Sequence, residues 1–302
     1  MRSFDPVIER CEQRYGGGSD AVRLFHGRGH AFEGYEDVTV DVFPPYVLVG
    51  SFGDDDAGAL RLADRLREAL PGVAGIAVQL RAGRRTQVEV PHGRVPDRIV
   101  TSEDGLRFIV RPLRNQNVGL FLDMAPARRW VRESALGGNV LNLFAYTCTF
   151  SVAALAGGAE QVVNNDMSRA ALDWGAENHT ENEQDTRRVR MLPHNLFKSW
   201  WKIRQWAPYD LVIVDPPTNQ GGSFNAEKQY GQILKRLREL TRPGGRVLAC
   251  LNSPFLNRDF LPAQMSRWCP ECQFEGYLAN PDDFPDRYPD RALKVGVFTR
   301  SG

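Results

Sequence analysis

Two carboxylates stand where apolar runs end: Asp166 closes QVVNND, and Asp215 follows the run in DLVIVDPP. A carboxylate at the end of a buried strand can hold ribose hydroxyls when the backbone amides of a neighbouring strand-to-helix turn face the same crevice. Asp166 lies about 20 residues beyond the first such run, VLNL at 140–143, which is the separation this geometry needs. The turn after that run is FAYTCTF, without GxGxxG, and a pyrophosphate requires the close backbone approach that those glycines give. The pattern therefore favours S-adenosyl-L-methionine over a dinucleotide. Asp215 precedes Pro216 and Pro217. Prolines fix their own φ and bias the preceding residue toward extended geometry, so the tip is rigid and can hold a planar base beside a methyl donor.

These groups need a parallel sheet to carry them. The runs VLNLF and QVV do not alternate, as expected of strands covered on both faces. With a small-residue helix at 149–156 and the Gly157-Gly158 stop between them, they form a βαβ unit. Ser168 caps the next helix, and a third strand at 189–192 ends at His194-Asn195. FKSWWKIRQW then leads to the strand before Asp215. A helix at 226–240 with Tyr230, Ile233, Leu234 and Leu237 on its packed face ends near Pro243-Gly244-Gly245. A strand at 246–250 exits through Leu251-Asn252-Ser253-Pro254, and 294–299 is a closing strand. Ahead of this, residues 21 to about 100 read as an α+β domain, with strands at 38–42, 46–49, 76–80 and 86–90 and a helix bearing Leu62, Leu66 and Leu70 after the Asp54–Asp56 capping run. Residues 1–19 read as peripheral. The division predicted is 1–113 for the small N-terminal α+β domain and 114–302 for the larger one.

The ordered motifs GLFLD (119–123), NVLNLFAYTCTFSVAALAGGAEQVVNNDMSRAALDWGAEN and DLVIVDPPTNQGGSF resemble the class I AdoMet-dependent methyltransferases of the large-subunit ribosomal RNA type. The resemblance spans about 106–300 and is to the guanine-N7 and cytosine-C5 enzymes acting on 23S rRNA, the guanine-N7 pattern matching better. It implies a Rossmann-like class I methyltransferase sheet of the α/β class. It also implies cofactor contacts from Phe121, Asp123, Asn142, Phe144, Tyr146, Thr147, Asp166, Met167, Asn195, Leu196 and Asp215. Base-orienting roles fall to Asp215, Pro216, Pro217 and Asn252. The cytosine-type enzymes need a cysteine adduct to activate C5, and the position aligned with that cysteine is Asn252, so a base nitrogen, guanine N7, is favoured. Three residues depart from the family: Met124 follows the acid Asp123, Asn195 replaces the acid that accepts from the adenine amino group, and Cys148 replaces a loop glycine. A side chain at 148 is expected to narrow the backbone's approach to the methionine moiety.

Net charge is +1, from 38 basic and 37 acidic residues, so RNA affinity must come from a local patch. Arg81, Arg84, Arg85, Arg94 and Arg98 are candidate phosphate contacts in the small domain, as are Arg128, Arg129 and Arg132 on the helix at 126–136. The three tryptophans among Lys198, Lys202 and Arg204 could stack on bases, though helical spacing favours core packing. Cys269 and Cys272 form a lone CxxC without the four ligands of a structural zinc, so no metal is expected. No charged leader precedes an apolar stretch, and no apolar run reaches about 18 residues, so the expected protein is cytoplasmic with no membrane partner. Ribosomal RNA is the expected partner, and the oligomeric state is open. The alternatives are a non-catalytic or weakened methyltransferase-fold protein that binds RNA or cofactor, and a small-molecule methyltransferase. An NAD-dependent oxidoreductase is disfavoured by the missing GxGxxG and the Asp-Pro-Pro tip.

Overall fold

A computed structural model of the chain describes residues 2–302 apart from 83–85, 115, 218 and 221–223. The backbone divides into two compact units: Met1–Asp123 with Pro281–Tyr288, and Met124–Asn280 with Pro289–Gly302.

The first unit contains α1 (Asp5–Arg14), β1 (Val22–His26), β2 (Val38–Phe43), β3 (Tyr46–Ser51), α2 (Asp56–Ala69), β4 (Gly75–Leu80) and β5 (Gln87–Gly93). The strands lie in the order β1-β2-β3-β4-β5, and only β3 and β4 are parallel, because α2 crosses between them. Asp55 caps α2 by accepting from Gly58 N at 2.8 Å. The N-terminal stretch is not peripheral. Phe4, Val7, Ile8 and Cys11 repeat at helical spacing and are buried in the same core as Leu62, Leu66 and Leu70.

A separate hairpin follows, β6 (Ile99–Glu103) with β7 (Leu106–Val110), of which the sequence pattern gives only the second strand. Arg111 N then bonds Val118 O at 2.8 Å, which keeps this stretch within the first unit as far as Asp123. Pro281–Tyr288 returns to the same unit: Asp283 accepts from Arg23 N at 3.2 Å, and the Arg23 guanidinium lies 4.6 Å from the Phe284 ring centre. Of the arginines expected to meet phosphate, Arg81 is engaged internally, bonding the Gln79 side chain and the Gln116 carbonyl and lying over Phe52. Arg94 and Arg98 are exposed; Arg84 and Arg85 lie outside the described residues.

The second unit runs α3 (Ala125–Ser134), β8 (Asn139–Leu143), α4 (Thr149–Ala156), β9 (Gln161–Asp166), α5 (Arg169–Glu181), β10 (Val189–Pro193), α6 (Trp200–Arg204), β11 (Tyr209–Val214), β12 (Asn219–Gln220), β13 (Phe224–Asn225), α7 (Ala226–Leu234), α8 (Leu237–Leu240), β14 (Thr241–Leu251), α9 (Phe260–Trp268), β15 (Cys272–Tyr277) and β16 (Lys294–Arg300). Its seven-stranded sheet has the order β10-β9-β8-β11-β14-β16-β15, parallel through β14 and antiparallel at β16 and β15.

Successive residues of the central strands serve opposite layers. Leu141, Leu143, Val212 and Val214 pack with Tyr230, Ile233 and Leu237, while Val140, Leu211 and Ile213 pack with Ala127, Val131 and Ala154. Burial on both faces is the reason these strands read as unbroken apolar runs. Two boundaries differ from the sequence pattern. The helix expected over 226–240 divides, because Arg236 N closes a tighter turn onto Ile233 O at 2.9 Å. β14 begins at Thr241, and the Pro243-Gly244-Gly245 excursion is a bulge, since Tyr209 pairs with Thr241 and Leu211 with Arg246.

Candidate active site

Because β8, β9, β10, β11 and β14 are parallel, their carboxyl ends share one edge of the sheet. That edge gathers Phe144–Cys148 after β8, Asp166-Met167 at the end of β9, Asn195-Leu196 after β10, Asp215-Pro216-Pro217 after β11 and Asn252 after β14. These are the predicted site residues outside the strand interiors, apart from Phe121 and Asp123. Those two belong to the first unit, where Phe121 is exposed and Asp123 sits in a 3-10 turn, Leu122–Met124.

The loop after β8 is unusual in backbone terms. Phe144, Tyr146 and Cys148 all have positive φ (60°, 47° and 59°), with Ala145 and Thr147 between them. Non-glycine residues in this region carry strain of about 1 kcal/mol or more each, and they persist only where surroundings hold them. Asp166 supplies part of that hold. Its Oδ2 accepts Tyr146 N at 2.9 Å and its Oδ1 accepts Ser168 N at 2.8 Å. Ala145 N bonds Asn165 O, and the Thr147 carbonyl accepts the buried Asn178 amide at 2.8 Å.

Cys148 corrects one expectation. Its side chain is fully buried, packed with Ala145, Leu172 and Met191, and a Cβ built on Gly175 would lie 2.4 Å from its Sγ. The thiol points into the α5 contact, so it does not narrow the crevice. Burial and the Asp166 charge push its pKa well above the ordinary thiol value, which keeps it protonated and inert.

Asn142 is likewise internal, 1% exposed. It begins a run of hydrogen bonds from the sheet into α4 and α5: Asn142 Nδ2 donates to Asn164 Oδ1 (2.9 Å), Asn164 Nδ2 to Ser151 Oγ (2.9 Å), Ser151 pairs with His179 Nε2 (2.9 Å), and His179 Nδ1 with Gln184 Oε1 (2.6 Å). Gln184 Nε2 ends the chain on Val152 O at 2.8 Å. Since Gln184 Oε1 can only accept, His179 carries its proton on Nδ1, and Ser151 donates to Nε2. Burial lowers the His179 pKa to about 4, so the ring is neutral. Thr147 is also buried, whereas Met167 is 58% exposed.

At the β10 exit Asn195 Oδ1 accepts Phe197 N at 3.0 Å, capping a 3-10 turn, and Leu196 is buried beneath it. An amide oxygen retains a second lone pair after one such bond. The ends of β11 and β14 are tied from below by Tyr230, whose hydroxyl lies 2.9 Å from Cys250 O and 3.4 Å from Val214 O. Burial drives its pKa well above the ordinary phenol value, so it remains a donor.

Sequence inspection missed Tyr230's bracing role and that of Lys294. The Lys294 ammonium, 1% exposed, donates to the carbonyls of Ser253, Asp290 and Ala292 at 3.1, 2.6 and 2.8 Å, fixing the strand exit that carries the exposed Asn252. A lysine opening a closing strand gives no sequence signal of this. Cys250 is fully buried on the α3 side, as strand alternation requires, and is not a nucleophile at this edge. The polar loop at 218–223 lies largely outside the described residues; Phe224, at its end, packs 5.5 Å from the Phe144 ring.

The tryptophan segment separates. Trp200 and Trp206 are half-buried against the core, while Trp201 is 54% exposed. Arg128, considered for RNA contact, is buried; Arg129 and Arg132 are exposed. Cys269 and Cys272 are buried with sulfurs 3.4 Å apart, and among the described residues no group of three or more His, Cys, Asp or Glu could hold a metal ion. No helix among the described residues is long and apolar enough to cross a membrane.

A parallel sheet continued on one side by two antiparallel strands, a strained turn after the first parallel strand and an acid ending the second define a Rossmann-like class I methyltransferase domain. The chain belongs to the S-adenosylmethionine-dependent methyltransferase family, which residues 22–299 match. It is 31% identical over 260 residues to ribosomal RNA large subunit methyltransferase I of Aeromonas salmonicida, covering 82% of this chain and 63% of that protein. It is 29% identical over 228 residues to ribosomal RNA large subunit methyltransferase K/L of Shewanella frigidimarina, covering 70% of this chain and 32% of that one. The chain thus spans less than two thirds of the length of either relative. Among solved structures, a Streptococcus mutans protein described as a SAM-dependent methyltransferase superposes with TM-score 0.87 at 22% identity, over 99% of this chain and 82% of that one. A SAM-dependent methyltransferase from Agrobacterium tumefaciens gives 0.66 at 19%, over 88% and 87%. These two likenesses are of fold. The cofactor expected from the sequence, S-adenosylmethionine, is that of the family.

Proposed function

We propose that this protein transfers a methyl group from S-adenosylmethionine to a base nitrogen of large-subunit ribosomal RNA, with guanine N7 the favoured acceptor. The observation that carries the reading is the Asp166 carboxylate: it stands half-exposed at the end of β9 and pins the strained Phe144–Cys148 turn through Tyr146 N. Each of its oxygens accepts one backbone N–H and keeps a second lone pair for a ribose hydroxyl. With Phe144, Tyr146, Met167 and Asn195 on the same edge, the residues present fit a nucleoside. When bound, the cofactor supplies an electrophilic methyl on a sulfonium.

The chain's own part is alignment. Guanine N7 has a free lone pair, so no general base is needed, and the barrier falls through orientation of the acceptor. Asp215 with the Pro216-Pro217 backbone, and Asn252 from the adjacent strand, hold the base; Tyr230 and Lys294 keep the two strand ends at fixed separation. A cytosine-C5 reaction would need a thiolate at this edge, and the aligned residue is Asn252 while Cys250 is buried. The names of the curated relatives support ribosomal RNA as substrate, and the cytoplasm, where ribosomes assemble, is the location that goes with it.

Calorimetric titration with S-adenosylmethionine and its demethylated product tests the first half. Micromolar binding is expected, with a loss of tenfold or more in Asp166→Ala. Methyl transfer to large-subunit RNA, mapped to the nucleotide, tests the second. Absence of cofactor binding to the wild-type protein would refute the enzyme reading, and methyl on a pyrimidine carbon would refute the N7 assignment.

A further inference from the structure

The carboxyl edge of β9 and β10 carries, beside Asp166, a group of cations that make no ion pair among the described residues. Pro193 pairs with Asp166 in register, so His194 and Asn195 leave the sheet beside Met167, Ser168 and Arg169. His194 Nε2 lies 2.7 Å from Lys202 Nζ, and that ammonium stands 5.4 Å from the centre of the Trp201 ring. Lys198 is exposed on the preceding turn, and Arg169 on the first turn of α5. Among the described residues none of Arg169, Lys198 and Lys202 has an ion-pair partner, although Arg204 nearby is paired with Glu239. Partial burial, and then the charges of Lys202 and Arg169, lower the His194 pKa, which places both cations near its ring.

Trp201 has no core role to explain it. Its neighbours in sequence, Trp200 and Trp206, take the packing positions, and Trp201 leaves more than half its surface in water. A large aromatic face flanked by such cations is complementary to an unpaired base with its phosphates. Resting on the RNA reading above, we infer that Trp201, Lys198, Lys202 and Arg169 form a single-stranded RNA contact beside the candidate active site. A base stacks on the Trp201 indole, and the flanking phosphates are held by the three cations. Duplex RNA is excluded from this mode because its bases are already stacked.

The test measures fluorescence anisotropy of a short, labelled single-stranded oligoribonucleotide with the full-length protein, without S-adenosylmethionine. Trp201→Ala is expected to weaken binding about tenfold, the effect of losing one base–aromatic stack, while Trp201→Phe keeps most of the affinity. Lys198→Ala and Lys202→Ala each lower the salt dependence, reducing the slope of log K against log salt by about 0.7. Melting temperatures of the Trp201 and Lys198 variants should match wild type, since those side chains are exposed, and that of Lys202→Ala is measured alongside because its ammonium also bonds His194. Equal binding by wild type and Trp201→Ala, or equal competition by a hairpin duplex of the same composition, would overturn the proposal. Because no cofactor is present, failure of S-adenosylmethionine to bind refutes the enzyme reading alone, and loss of Trp201 dependence refutes this contact alone.

Discussion

Substituting Gly175 by alanine probes the loop after β8 from behind. Gly175 lies inside α5, where alanine is normally worth roughly 0.5–1 kcal/mol of added stability. Here the new methyl would sit 2.4 Å from Cys148 Sγ and 2.8 Å from its Cβ, and the thiol is fully buried. Overpacking of this kind costs about 1–3 kcal/mol, so the expected net change is a loss of roughly 0.5–2 kcal/mol. Cys148→Gly alone should be near neutral, since relief of left-handed strain of about 1 kcal/mol offsets the packing lost with the thiol. In the double variant the alanine methyl occupies the space the sulfur leaves, so the two changes should couple favourably by about 1–3 kcal/mol. Urea unfolding midpoints at constant m-value measure the cycle. Cofactor titration of Cys148→Gly should give an affinity within a few-fold of wild type, because the thiol faces α5 and not the crevice. A Gly175→Ala protein as stable as wild type, with no coupling to Cys148, would refute the packing described.

Acid should weaken the second unit through His179. Its pKa is about 4 in the fold against an ordinary value of 6.5. The unfolded chain therefore takes up the proton first, and stability present above pH 6.5 falls as pH drops toward 4, by roughly 3 kcal/mol in all. His179→Gln should flatten that part of the urea-midpoint profile, and an unchanged profile would exclude His179 as the source. Lys294→Met should cost about 3 kcal/mol or more, since three carbonyls lose their buried donor; a melting temperature equal to wild type would contradict that bonding.

The second unit's central strands were legible because their apolar runs are buried on both sides and their ends carry acids and prolines. That Asp166 ends the second strand could be read from the βαβ pattern and its spacing. What could not be read has a common cause, contacts between residues far apart in sequence. Cys148 looks like an obstruction until Gly175, on the next helix, is seen to make room for it. The first helix looks peripheral because a Gly-rich break follows it, yet its apolar face completes a core with α2. Pro281–Tyr288 lies between strands of one unit while packing in the other, held by Arg23 and His26, and no local pattern marks such a return. The three tryptophans share one five-residue helix and its flanks, so only their separate exposures distinguish the outward Trp201 from the other two.

The hydrogen-bonded run from Asn142 to Gln184 has a consequence for how the chain finds its alignment. Val140 and Leu141 of β8 and Val162 and Val163 of β9 are interchangeable aliphatic side chains, which would pack nearly as well if one strand slid by two residues. Asn142 meets Asn164 at only one such alignment, and any other would leave two amides stranded among valines and leucines. Each donor in the run faces one acceptor, so misalignment at one end forfeits partners along the whole line. The pair of asparagines thus acts as a detent for the two strands, and it sets the distance between the Tyr146 amide and the Asp166 carboxylate before any ligand arrives.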